Sequence, residues 1–212
     1  MPAQRAASEG RIDELVALLE RIATALEEMN HALARMPEWC DPHVYYHRVR
    51  PYIHGWKDHP ALPNGVVYEG VAAYEERPQF FRGETGAQSA IVPCLDAALG
   101  VVHRADPLRH YLDEMRTYMP PAHRAFLEEI ESGPSIRRCV DEHRPSHSNL
   151  VEAYESCLQW LTSFRSTHLE YASRYIFRQS HGGRMNPSNV GTGGTPFMPY
   201  LRKHRDETSG GA

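Results

Sequence analysis

No run of apolar residues in this sequence approaches the roughly 20 needed to cross a bilayer, so no membrane-spanning helix is expected. The opening stretch MPAQRAASEGRIDEL lacks an apolar signal core and becomes charged at once. Cysteine is scarce. Cys40, Cys94, Cys139 and Cys157 are scattered, with no C-x-x-C pair among them, which argues against a disulfide scaffold or a zinc ribbon. Free thiols in a reducing cytoplasm are the expectation. Neither sign of charge dominates: 23 Lys and Arg against 27 Asp and Glu leave a net charge of −4, a near balance without the basic excess that a nucleic-acid partner calls for. Alternating apolar and polar residues never persist beyond about four positions, and no segment repeats, so the expected fold is all-α.

What is present is helical periodicity. Ile12, Leu15, Leu19, Ile22, Leu26, Met29 and Leu33 follow one another in steps of three and four, predicting an amphipathic helix over 8–36 that Pro37 ends. Asp41-Pro42 reads as an N-cap with proline in the first turn, opening a helix to about Ile53. The Pro- and Gly-rich HGWKDHPALPNGVVYEGV is a long loop that Trp56 and Tyr68 should make pack. An apolar helix with a kink at Pro93 follows, then a second Asp-Pro cap at Asp106-Pro107, and a helix stopped by Gly133-Pro134. The longest helix is expected over 146–177, followed by a Gly-rich loop over 178–195, and a frayed tail over 205–212. The whole of 1–204 is expected to form one helical domain.

The longest helix poses a chemical question. Val151, Tyr154, Leu158, Leu161, Arg165, His168, Ala172 and Tyr175 are spaced 3-4-3-4-3-4-3, a single stripe facing a core. Arg165 and His168 interrupt it at adjacent turns. A guanidinium in a core needs an anionic partner, for which Asp96 on another apolar helix is a candidate. An imidazole beside it is expected to be neutral, disfavoured as a cation by burial and by the neighbouring charge. A neutral imidazole is a good transition-metal ligand, and a haem would use both residues, the imidazole on iron and the arginine on a propionate. Hydrogen bonding to a backbone carbonyl is the plainer role for a core histidine. The pairs His43/His47 and His143/His147 lack the companions of a zinc site and read as surface histidines. GTGGT over 191–195 lacks the lysine of a phosphate loop; it suits a flexible linker or a closing lid.

The segments HGWKDHPALPNGVVYEG, FRGETGAQSAIVPCLDAALG, YMPPAHRAFLEEIESGPSIR, FRSTHLEYASRYI and GTGGTPFMPYLRKHRDET, in this order, resemble the indoleamine 2,3-dioxygenase family of haem enzymes. The resemblance implies haem b with O2 as co-substrate, opening the indole C2=C3 bond of tryptophan or a related indole amine to an N-formylkynurenine-type product. It implies His168 as the iron ligand, with Arg165 on a propionate and Asp96 as its partner. Arg50 falls where the family holds the substrate carboxylate. Tyr45 and Tyr46 stand where an apolar aromatic pair lies near the substrate ring. Thr85 and Gly86 would lie over the distal face, and Gly191, Thr192 and Gly193 belong to a loop closing on the amino-acid headgroup; Arg50, Thr85 and Thr192 are the candidate catalytic residues.

Family members carry an N-terminal domain and distal-pocket helices ahead of the matching region. The expectation is therefore a homo-oligomer, or a partner chain, that completes the distal pocket. Two tyrosines in place of an apolar pair also leave room for a haem-dependent monooxygenase of a substituted indole or aromatic amino acid, or for a non-catalytic haem-binding protein.

Overall fold

Gly10 breaks the chain just ahead of the first apolar stripe. In the computed structural model, which describes residues 1–104, 109–179, 188–194 and 196–209, α1 spans Pro2–Ser8 and α2 spans Ile12–Ala34. Between them Gly10 sits at φ 67°, a left-handed conformation that glycine adopts without steric cost. The single helix predicted over 8–36 is thus α2 alone, with 9–11 as a turn. Two short helices follow, α3 over Met36–Trp39 and α4 over Pro42–Val44. Asp41 caps α4 as predicted, its Oδ1 accepting from the Val44 N–H at 2.9 Å. The helix does not run on to Ile53 in α form. It widens into a π turn over Tyr45–Val49 and tightens into a 3-10 turn over Arg50–Tyr52.

The remaining helices are α5 Ile91–Leu99, α6 Arg109–Arg116, α7 Pro121–Ser132, α8 Ile136–His143, α9 Ser148–Ala172 and α10 Met198–Thr208. Pro93 falls in the first turn of α5, where its missing N–H has no intrahelical acceptor to lose, so the expected mid-helix kink has no reason to form. The sequence reading missed α8, although Ser135 caps it by accepting from the Arg138 N–H at 3.2 Å. After α9 the chain continues as a π turn over Ser173–Phe177, ending where the long helix was predicted to end. The tail expected to fray from 205 is instead helical through Thr208, whose residue surface is 3% exposed. The cap proposed at Asp106-Pro107 and most of the Gly-rich loop (180–187 and 195) lie outside the described residues. Among the described residues there is no strand, only one isolated bridge between Val66 and Gln79. The fold is all-α.

The chain forms two compact units. The first comprises Met1–Arg35, Ala87–His168 and the residues from Arg202 onward. Its core joins Ala3 and Ala6 of α1, Leu15, Leu19 and Leu26 of α2, Leu99 of α5, Ile136 and Val140 of α8, and Leu150, Tyr154, Cys157 and Leu161 of α9. Two buried polar side chains there are paired. Asn30 donates to the carbonyls of Leu26 and Trp160, and the Tyr154 hydroxyl donates to Leu99 O at 2.6 Å.

The second unit comprises Met36–Gly86 and Leu169–Leu201. Here the long loop packs as expected. Trp56, Tyr68, Tyr74 and Phe81 meet at ring-centroid distances of 5.5 to 6.3 Å, and the Trp56 indole N–H donates to Gln79 O at 2.8 Å. Such edge and tilted contacts let a loop without regular structure hold one shape.

Candidate functional site

On α9 the stripe of the sequence is real, and Arg165 lies in it with its side chain 7% exposed. Its anionic partner is the predicted one: Nη2 donates to Asp96 Oδ2 at 2.6 Å. A second donor, Nη1, is held by the Thr208 hydroxyl of α10. His103, on the segment after α5, bridges the two carboxylates around this pair. Its Nε2 is 3.2 Å from Asp96 Oδ2 and its Nδ1 is 2.8 Å from Glu207 Oε2. His204 stacks on the His103 ring at 3.7 Å and 9°. Burial, then His103 and Arg165, hold the His204 imidazole down to about 3, so it is neutral across the physiological range.

One turn beyond Arg165, His168 departs from the buried position that the spacing implied. The residue is exposed. Among the described residues neither ring nitrogen makes a hydrogen bond, and Phe164, at a centroid distance of 6.5 Å, is its ring neighbour. The surrounding protein mass, and then the Arg165 charge, still hold its pKa below the ordinary imidazole value. The result is a neutral ring with a free edge, one turn from a buried guanidinium held by Asp96 and Thr208. This donor set fits a haem: an imidazole nitrogen not committed to protein, and a cation one turn away for a carboxylate side arm. A cleft of about 430 Å³ in the same unit is lined by Leu158, Thr162, Glu155, Glu207 and Thr208 but by neither His168 nor Arg165.

The second unit gathers other candidates. Arg50 has no exposed surface; its Nη2 donates to Val190 O, and its guanidinium lies 5.4 Å from the Tyr46 ring centroid. Burial works against its charge, and the two tyrosines oppose that effect. Tyr46 is fully buried, while Tyr45 is half-buried and edge-on to Tyr175 at 6.0 Å. Both tyrosines sit on the π turn, and helical segments of that kind recur at functional sites because the extra residue re-aims side chains. Thr192 donates its hydroxyl to Glu84 O, and Gly193 O accepts from Arg82 at 3.3 Å. Gly191 is partly buried beside them. Gly83 leaves room for this contact: a Cβ there would lie 2.4 Å from Thr192 O. Thr85 is half-buried, and Gly86 is exposed at the start of a short 3-10 turn, Gly86–Gln88.

Sequence reasoning did not foresee the cluster of His103, His204 and Glu207, whose ligand-type atoms lie within 4.8 Å of one another. No spacing rule could find it, since His103 and Glu207 are 104 positions apart. The histidine pairs that were singled out, His43/His47 and His143/His147, are ring neighbours at 4.3 and 5.5 Å without a third ligand among the described residues.

An all-helical protein with an uncommitted imidazole one turn from a buried arginine–aspartate pair belongs to a narrow class, and comparison with known proteins says which. The pattern defining the family "Indoleamine 2,3-dioxygenase" matches residues 1–210, and the chain belongs to that family. It is 40% identical over 198 residues to indoleamine 2,3-dioxygenase 1 of Rattus norvegicus, covering 88% of this chain and 47% of the relative. It is 35% identical over 226 residues to the indoleamine 2,3-dioxygenase of Saccharomyces cerevisiae, covering 90% and 49%. A 6-hydroxytryptophan 2,3-dioxygenase of Fusarium equiseti is 35% identical over 225 residues, covering 97% and 54%. The chain spans about half the length of the curated relatives it matches.

Proposed function

We propose that this chain is the cofactor-holding part of a haem b oxidoreductase that adds dioxygen across the C2=C3 bond of tryptophan or a related indole amine, giving an N-formylkynurenine-type product. The observation that carries the reading is His168, a neutral imidazole on the helix that also bears Arg165, the partner of Asp96, with no hydrogen bond to protein among the described residues. Haem b, when bound, would supply the activation of dioxygen. His168 would hold its iron and Arg165 would offer a cation to a propionate, with Asp96 fixing the guanidinium. Arg50 would take the substrate carboxylate. The Val190 carbonyl is an acceptor that a carboxylate oxygen would replace at the guanidinium. Thr85 and Gly86 would border the bound haem. Gly191, Thr192 and Gly193 would close over the amino-acid headgroup and keep water out.

A second substrate reading, a ring-hydroxylated indole, is favoured by the half-buried Tyr45, whose hydroxyl can hydrogen-bond a phenolic group where an apolar ring could not. The relative from Fusarium equiseti is named for such a substrate. Product mass after turnover with tryptophan and 6-hydroxytryptophan tests both readings. A gain of two oxygen atoms is expected; a gain of one would replace dioxygenation with monooxygenation, and no turnover of either indole would remove the proposed activity.

A further inference from the structure

Arg165 is held by more than its aspartate. Its Nη1 donates to the Thr208 hydroxyl, which donates onward to His204 O at 2.7 Å, so this one hydroxyl both receives from the guanidinium and anchors itself to α10. Its Nη2, besides bonding Asp96, is 3.5 Å from His103 Nε2. His103 is in turn fixed from three sides: Asp96, Glu207 Oε2, and the stacked face of His204. The same stretch of α10 grips the backbone next door. Glu207 Oε1 accepts from the Arg104 N–H at 3.1 Å, and Lys203 donates to Arg104 O. Glu207 stays ionised: burial opposes its charge, but the His103 hydrogen bond, the Arg104 N–H and Lys203 outweigh it and hold its pKa below the carboxylate norm.

The geometry points to α10 as the positioning element for Arg165, with Thr208 acting directly and Glu207 acting through His103. Neither is a catalytic residue. Their effect is to leave the guanidinium one orientation, so that its position relative to His168 on α9 is set before any ligand arrives. Why that orientation matters rests on the haem reading above; that it is imposed by α10 does not. A metal site at His103, His204 and Glu207 is the competing use of these side chains. Two imidazoles stacked at 9° cannot aim their lone pairs at one ion, and Lys203 lies 3.6 Å from the carboxylate such an ion would need.

The test uses the full chain and two readouts, one independent of haem. In the haem-free protein, NMR of the Arg165 guanidinium (assigned with Arg165→Lys) should show slow proton exchange and hindered rotation. Thr208→Val and Glu207→Ala should each raise the exchange rate about tenfold, the scale of one lost charged hydrogen bond, and Thr208→Ser should restore it. With haem, the same two variants should surrender it faster to an apoglobin acceptor while keeping the histidine-ligated spectrum. Wild-type exchange rates in both variants, or an unprotected guanidinium in the wild type, would overturn the proposal; the second result needs no variant to fold. Stoichiometric zinc uptake quenched by His204→Ala would overturn it too, because the ion would take Glu207 from His103. If the wild type takes up no haem yet Arg165 protection still depends on Thr208 and Glu207, the haem reading fails and the positioning role stands.

Discussion

The surroundings of His204 oppose its charge, and that opposition has a pH signature. Its ordinary value is 6.5 and its folded value is about 3, so between these limits the unfolded chain binds a proton that the folded chain refuses. Stability is therefore full above 6.5 and falls as the pH drops toward 3. Glu207, held below its ordinary 4.5, adds a loss that begins only below that value. Around the ring stand His103, Arg165, Asp96 and Glu207, and the cations outweigh the anions there. His204→Phe keeps a flat ring against His103 and should flatten the slope of urea midpoint against pH between 6.5 and 4.5; an unchanged slope would show that other groups govern it. Asp96→Ala strands the Arg165 charge and should cost roughly 3–5 kcal/mol in urea unfolding. His168→Ala, at an exposed position, should change stability by no more than about 0.5 kcal/mol. Arg165 and His168 were legible as residues because they break an apolar stripe; the burial of Arg165 followed from that stripe, but the exposure of His168 did not, since periodicity gives a direction and not what lies there. His103 and Glu207 were illegible, because only the folded chain brings them together.

At the scale of elements, α9 carries both stability and site. Its upper half is ordinary core: Tyr154 reaches Leu99 O, and the Cys157 thiol donates to Leu19 O at 3.2 Å. Burial pushes both side chains up to about 12. Tyr154→Phe should cost about 1–3 kcal/mol by leaving a buried carbonyl without its donor, read from denaturant midpoints. Cys157 should resist alkylation in the folded protein and react fully once unfolded; rapid native labelling would contradict its place in the core. The steps of three and four from Ile12 to Leu33 and from Val151 to Tyr175 were enough to find α2 and α9, because a long amphipathic face leaves little choice of structure. The π turns at Tyr45–Val49 and Ser173–Phe177 were not readable, since each inserts a residue at the cost of local geometry that only tertiary packing repays. The short α8 was readable in principle, from Ser135 and the apolar Ile136, Cys139 and Val140, but Gly133-Pro134 and the charged residues around it masked the pattern.

For the whole molecule, the all-α class followed from the lack of alternating strands, whereas the division into two compact units did not show in composition. No described helix is long and apolar enough to cross a membrane. The family is established over 1–210, and the chain spans roughly half the length of its relatives. The most direct test of the central claim is a haem titration of the purified chain, with the spectrum recorded after dithionite and carbon monoxide, alongside His168→Ala with and without added imidazole. The account predicts a histidine-ligated ferrous spectrum in the wild type, its loss in the variant, and its return with free imidazole. A histidine-ligated spectrum in His168→Ala without imidazole would contradict it.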